Sequence, residues 1–201
     1  MPPSSLTIAK IIKSNSHVDY VGRVIDALDT AQPPRTEDYG FAQFVTLSID
    51  TGRVIGVIYN TLLFNPEYGN FGPRLSPLPE LAVLSPDYLN EQGVLVGVLL
   101  LGWQDEGGKM HHGVPRRVIP VGCEVVRMDD AAMHEFHKDA HGRLQLHYYS
   151  QIISHAGTLG IPLLEAIIEQ LEPHTTMEER QRLCVLKKSL VWQRTLGGVK
   201  L

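Results

Sequence analysis

The chain has 201 residues, enough for one full domain or one small domain with an appendage. Apolar residues make up 43% and charged residues 20%, which excludes a wholly disordered chain and permits a real core. A formal net charge of −4 excludes a generally basic nucleic-acid coat, though not a local basic face.

The first two thirds read as β structure. Residues 6–12 alternate, with Leu6, Ile8 and Ile12 expected on one side, and residues 20–28 form a second strand candidate. Residues 41–63 give the clearest pair. Phe41, Val45, Leu47 and Ile49 fall on one face, with Ala42, Thr46, Ser48 and Asp50 opposite. Asp50-Thr51-Gly52 supplies a turn, and Ile55, Val57 and Tyr59 return at period two, which is a hairpin pattern. The stretch 65–79 holds four prolines (Pro66, Pro73, Pro77, Pro79) and two glycines (Gly69, Gly72). Proline fixes φ and removes a donor, so a central strand is excluded there and a binding loop is the expectation. Residues 93–105 are apolar on both faces: Val94, Val96 and Val98 on one, Leu95, Leu99 and Leu101 on the other. That pattern predicts a strand buried on both sides. Asp105-Glu106-Gly107-Gly108 turns the chain, His111-His112 is expected in a loop, and residues 114–126 are expected to form a last β segment broken by Pro120 and Gly122.

After Arg127 the period changes to 3.6. Asp129 or Asp130 can cap a short helix through His137. Tyr149, Ile152, Ile153 and Ala156 form a helical stripe that Gly157 to Gly160 ends. The next helix has Pro162 in its first turn, Leu164, Ile167, Ile168 and Leu171 on one face, and Pro173 as its stop. Thr175 with Glu178, or Thr176 with Glu179, makes a capping box for a last helix carrying Leu183, Leu186 and Leu190. The fold class is therefore α+β: a small antiparallel β-barrel over 1–128, followed by a helical region over 129–201.

The β part resembles the HAS-barrel, the N-terminal barrel that HerA-type DNA-translocating ATPases share with ATP synthase subunits. The residues that carry the resemblance are Gly22-Arg23-Val24, Phe44-Val45, Gly52-Arg53-Val54-Ile55-Gly56-Val57, Val96-Gly97-Val98-Leu99 and Pro120-Val121-Gly122-Cys123-Glu124-Val125, spread over about 18–130. The resemblance implies a barrel that packs subunits or receives a partner. It does not carry over a motor, because no G-x-x-x-x-G-K-[ST] occurs. At Gly107-Gly108-Lys109-Met110 the position five before Gly108 is Trp103, and Met110 offers no hydroxyl to magnesium.

Candidate chemistry is sparse. Among nine histidines, His134, His137 and His141 fall at i, i+3 and i+7, one face of a helix that runs on to Gly142. Neutral imidazoles so placed could bind zinc and serve a metal-dependent hydrolase; a solvated helix face is the simpler reading. Adjacent His111 and His112 would point apart on a strand and share no metal. Cys123, flanked by Val121 and Val125, reads as a core thiol rather than a nucleophile. Arg116-Arg117 and the last helix offer a basic surface. From Pro173 onward there are six Lys or Arg against two acidic residues, with Arg180, Lys187 and Arg194 on one face. A phosphate-binding stripe and a solvated helix that complements its own dipole are both consistent with this, the second more simply. Trp192 and the leucine stripe are expected to pack on the barrel or a partner helix.

The two cysteines, far apart, match no metal spacing and fit a reducing cytoplasm. Residues 1–5 show no signal-peptide pattern, and the longest apolar run is about half a membrane span. These observations predict a cytoplasmic, non-enzymatic module without a cofactor, docking onto a protein or onto itself, with nucleic acid as the second partner class.

Overall fold

The computed structural model describes residues 6–50, 52–64 and 93–197. The proline-rich stretch 65–79 lies outside them. Seven strands are present among the described residues: β1 (Thr7–Ser14), β2 (Asp19–Val24), β3 (Phe44–Ile49), β4 (Gly52–Phe64), β5 (Gly93–Gln104), β6 (Met110–His112) and β7 (Glu124–Arg127). Every pairing is antiparallel. The order β2-β1-β7-β3-β4-β5 closes through a β2–β5 pairing into a six-stranded barrel. Along one edge of β5, β2 pairs with Leu95 to Leu99 and β6 with Gly102 to Gln104. Closure leaves no continuous open sheet edge around the ring, so the barrel is protected from edge-to-edge association.

The expected hairpin is there. Ser48 faces Arg53 and Ile49 faces Gly52 across the turn, where Gly52 has φ +137°. That conformation strains any side chain. The two-faced apolar strand is also there: Val96 and Val98 to Leu101 are fully buried, as are Val54, Ile55, Val57 and Ile58 on β4. One face of these strands fills the barrel and the other lies beneath helices.

Four α-helices follow among the described residues: α1 (Asp130–Phe136), α2 (Tyr149–His155), α3 (Gly160–Leu171) and α4 (Met177–Gly197). Asp129 caps α1, its carboxylate accepting from the Ala132 N–H at 2.7 Å. Thr176 and Glu179 form the reciprocal box that starts α4: the Glu179 carboxylate accepts from Thr176 N–H at 2.9 Å, and Thr176 Oγ1 accepts from Glu179 N–H at 3.3 Å. Phe136, Tyr148, Ile152, Leu163, Leu164, Ile167, Ile168, Leu171, Leu183 and Leu190 join the strand residues in a single core. Each fully buried aliphatic side chain among them contributes about 1.5–3 kcal/mol of transfer free energy. Polar ties reinforce the apposition. Gln151 donates to the Leu100 carbonyl, and Gln170 donates to the Ala42 carbonyl at 3.2 Å. At Gly102 β5 passes close to α1: a Cβ there would meet the His111 carbonyl oxygen and stand 2.9 Å from the Phe136 ring.

Four local expectations need correction. Ile12 does not share a face with Ile8; it is 42% exposed, and Ile11 is buried instead. Register shifts between Thr7 and Ala9 against β7, and between Ile11 and Lys13 against β2, break the period of two. Phe41 is exposed; β3 starts three residues later, with Phe44 buried. Of 114–126 only the end is strand, and Val114, Val118 and Val121 face solvent, because the stretch runs as a loop over one barrel mouth. Conversely, His111 and His112 belong to β6 rather than a loop. No helix among the described residues is long and apolar enough to cross a membrane.

Candidate functional site

A concave basin of about 510 Å³ opens at the mouth of the barrel where the β3–β4 turn, the end of β5 and the 113–118 loop meet. Strand register builds its floor. Val54 on β4 faces Trp103 on β5, which in turn faces His111 on β6. The Trp103 and His111 rings stack at 5.2 Å and 15°, a cross-strand pair of the kind that stabilises sheets. Ile49 and Pro115 complete the apolar lining, and Arg53, Arg116 and Arg117 supply guanidinium groups.

The arginine-bearing loop is pinned on both sides. His17 Nε2 lies 2.7 Å from the Pro115 carbonyl, an acceptor, so that nitrogen carries the proton and donates. Beyond the arginines, the Ile119 N–H donates to the Tyr20 hydroxyl at 3.2 Å. Arg117 reaches back over the hairpin turn: its Nη1 would stand 3.5 Å from a Cβ on Gly52. Two acidic residues also line the basin. Asp105 accepts from His111 Nε2 at 2.8 Å and from Lys109 N–H at 2.9 Å. These bonds, His111 first, hold its carboxyl below the usual range. Glu106 is exposed. Arg116 and Arg117 thus line one basin with Arg53 on β4 and Trp103 on β5, which reading along the chain did not nominate. Arg53 directly follows the turn glycine and Trp103 ends the two-faced apolar run, but only the register joins them.

The histidine face does not form. Helix α1 ends at Phe136, with His137 as its C-cap, and His141 lies in the turn that follows. His137 is fully buried. Its Nδ1 donates to the Met133 carbonyl at 2.7 Å, and its Nε2 accepts from the Tyr148 hydroxyl at 2.5 Å. Burial pushes its pKa down to about 3. His112 is built alike. Nε2 donates to the Phe136 carbonyl at 2.9 Å and Nδ1 accepts from His147 N–H at 3.2 Å, with burial pushing its pKa down to about 4. These two imidazoles are neutral structural links between β6, α1 and the segment before α2. His134 faces His174 instead, ring centroids 4.0 Å apart. Among the described residues no three His, Cys, Asp or Glu side chains are arranged to hold a metal ion.

The basic face of α4 is largely committed. Lys187 pairs with Glu169 on α3 at 3.0 Å, and Arg180 donates to the Glu172 carbonyl at 3.3 Å. Arg194 lies within α4. Trp192 does not pack on the barrel; it is 69% exposed. Cys123 is partly buried, and its Sγ donates to the Ser48 carbonyl at 3.4 Å. Burial, then Glu124, pushes its thiol pKa up, which disfavours the thiolate a nucleophile needs.

No curated protein matches the sequence. The family model described as "Domain of unknown function (DUF8166)" matches residues 3–200, and the chain belongs to that family.

Proposed function

We propose that this chain is a non-enzymatic docking module, a HAS-barrel-like unit that receives a protein partner at its barrel mouth. One observation carries this: the basin joins an apolar floor to Arg53 on β4 and to Arg116 and Arg117 on a loop held from both sides. Rigid elements with a central aromatic and arginines at the rim are what protein interfaces concentrate their binding energy on. The buried imidazoles are turned inward: His137 bonds Tyr148 and the Met133 carbonyl, and His112 bonds the Phe136 carbonyl and the His147 N–H.

The six-stranded closed ring supports the HAS-barrel lineage, and with it a separately encoded HerA-like motor as the partner or a ring of like subunits as the assembly. Two free cysteines fit a reducing cytoplasm.

Purification of the tagged full chain from its native cells, beside an Arg53→Glu/Arg116→Glu variant, tests the proposal. A stoichiometric partner, a HerA-type ATPase above all, is expected with the parent and lost with the variant. A parent that runs at its 22.4 kDa monomer mass and brings no protein the variant does not also bring refutes docking at this mouth.

A further inference from the structure

The partner's chemistry is written in the rim of the basin. Among the described residues, the cations that line it are arginines: Arg53 on β4, Arg116 and Arg117 on the loop. A planar guanidinium matches a carboxylate with two parallel hydrogen bonds, which a lysine cannot do. The acidic residues of the lining do not cancel them. Asp105 is occupied by His111 and the Lys109 N–H, leaving Glu106 against the exposed guanidiniums of Arg53 and Arg116 among the described lining residues. This local excess of positive charge sits on a chain whose formal net charge is −4. The floor asks for something else. Val54, Ile49, Pro115 and the Trp103 indole make it apolar, and its volume of about 510 Å³ has room for one large side chain.

Resting on the docking reading above, we infer that the basin binds a short acidic peptide segment, one apolar side chain seated over Trp103 and flanking carboxylates on Arg53 and Arg116. Two observations disfavour a nucleic-acid strand at the same place. Single strands use successive stacking platforms, whereas the lining offers one indole, already stacked on His111. A long polyanion also meets Glu106 and the net negative charge of the whole chain, while a peptide needs only two or three carboxylates at the rim. Arg53 and Arg116 are exposed, so reversing their charge leaves the core intact.

The test uses the purified full chain and a random dodecapeptide display library, followed by fluorescence anisotropy with the most enriched peptide and with a labelled 20-mer of deoxythymidine. The expected result is enrichment of Asp and Glu around an aromatic or aliphatic residue. Affinity should weaken with added salt and fall at least tenfold in the Arg53→Glu/Arg116→Glu variant, whose circular dichroism should match the parent's. Enriched peptides that are neutral or basic, yet lost on Trp103→Ala or on the double arginine variant, overturn the acidic-peptide inference and leave docking at the basin standing. No enrichment above an unrelated control protein overturns both. Binding of the oligonucleotide, abolished by the arginine variant and stronger than that of any peptide, replaces the peptide with nucleic acid.

Discussion

Lowering the pH from 7.5 to 5 is expected to strip several kcal/mol from the stability of this protein, through two histidines. His137 and His112 are held neutral in the fold, with pKa values pushed down to about 3 and about 4 by burial. In the unfolded chain each returns to about 6.5. Above that value both states are neutral and stability does not depend on these groups. Below it the unfolded state takes up protons the folded state refuses, so stability falls as the pH drops from 6.5 towards the folded values. At pH 5, 1.5 units below the unfolded pKa at about 1.4 kcal/mol per unit, His137 costs about 2 kcal/mol. Half-buried His112 adds about 1 kcal/mol after discounting for solvent. A loss of about 3 kcal/mol is a large part of the 5–15 kcal/mol typical of a domain. Carboxylates with lowered pKa, such as Asp29, Asp105 and Glu179, lose their contribution only at more acid pH, below their ordinary values of 3.8 and 4.5, so this window belongs to the histidines. Urea unfolding followed by circular dichroism at pH 7.5, 6.5, 5.5 and 5.0 measures it. His137→Gln, which cannot titrate, should lower stability at pH 7.5 and flatten the slope by roughly one proton. A midpoint that is constant from pH 7.5 to 5, or a slope unchanged in His137→Gln, refutes the assignment.

Gly102→Ala should destabilise by about 3 kcal/mol in thermal or urea unfolding, because its Cβ would collide with the His111 carbonyl and the Phe136 ring. Thr176→Ala should cost about 1 kcal/mol by removing the α4 capping box, read from the urea midpoint. Lys187→Ala should change stability by less than about 1 kcal/mol, since its pairing with Glu169 is half-exposed. The same variant should leave binding to duplex DNA at low salt unchanged, which separates an inter-helix tie from a phosphate contact.

The readable parts of the sequence were those set by neighbours in the chain. Asp50 to Gly52 between alternating segments announced the hairpin, the double-faced run at Val94 to Leu101 announced a strand covered on both sides, and the two overlapping boxes Thr175 with Glu178 and Thr176 with Glu179 announced the start of α4, of which the second forms. What was not readable depends on partners far away. A bulge chosen by pairing with β2 and β7 decides whether Ile11 or Ile12 turns inward. His111-His112 becomes a strand only because β5 extends beyond β2 and leaves an edge to pair with. The end of α1 at Phe136 carries no nearby glycine or proline; His137 stops it by turning into the core to meet Tyr148. Arg116 and Arg117 could be nominated as basic residues, but the basin around them needed the register that brings Arg53, Val54 and Trp103 alongside.

The β1–β7 pairing and the β2–β5 pairing that closes the ring also bear on how the molecule is made. Thr7 meets Glu124 across 117 positions of chain, and β2 cannot find its place on β5 until residues 95–99 exist. Hairpins β1–β2 and β3–β4 can form early, but each then waits with exposed pairing edges for a strand synthesised later. At roughly 5–20 residues per second of synthesis, that wait is on the order of ten seconds, far longer than a hairpin needs to form. Long-range pairing of this kind makes folding slow, and a nascent chain held open for that time is a substrate for chaperones.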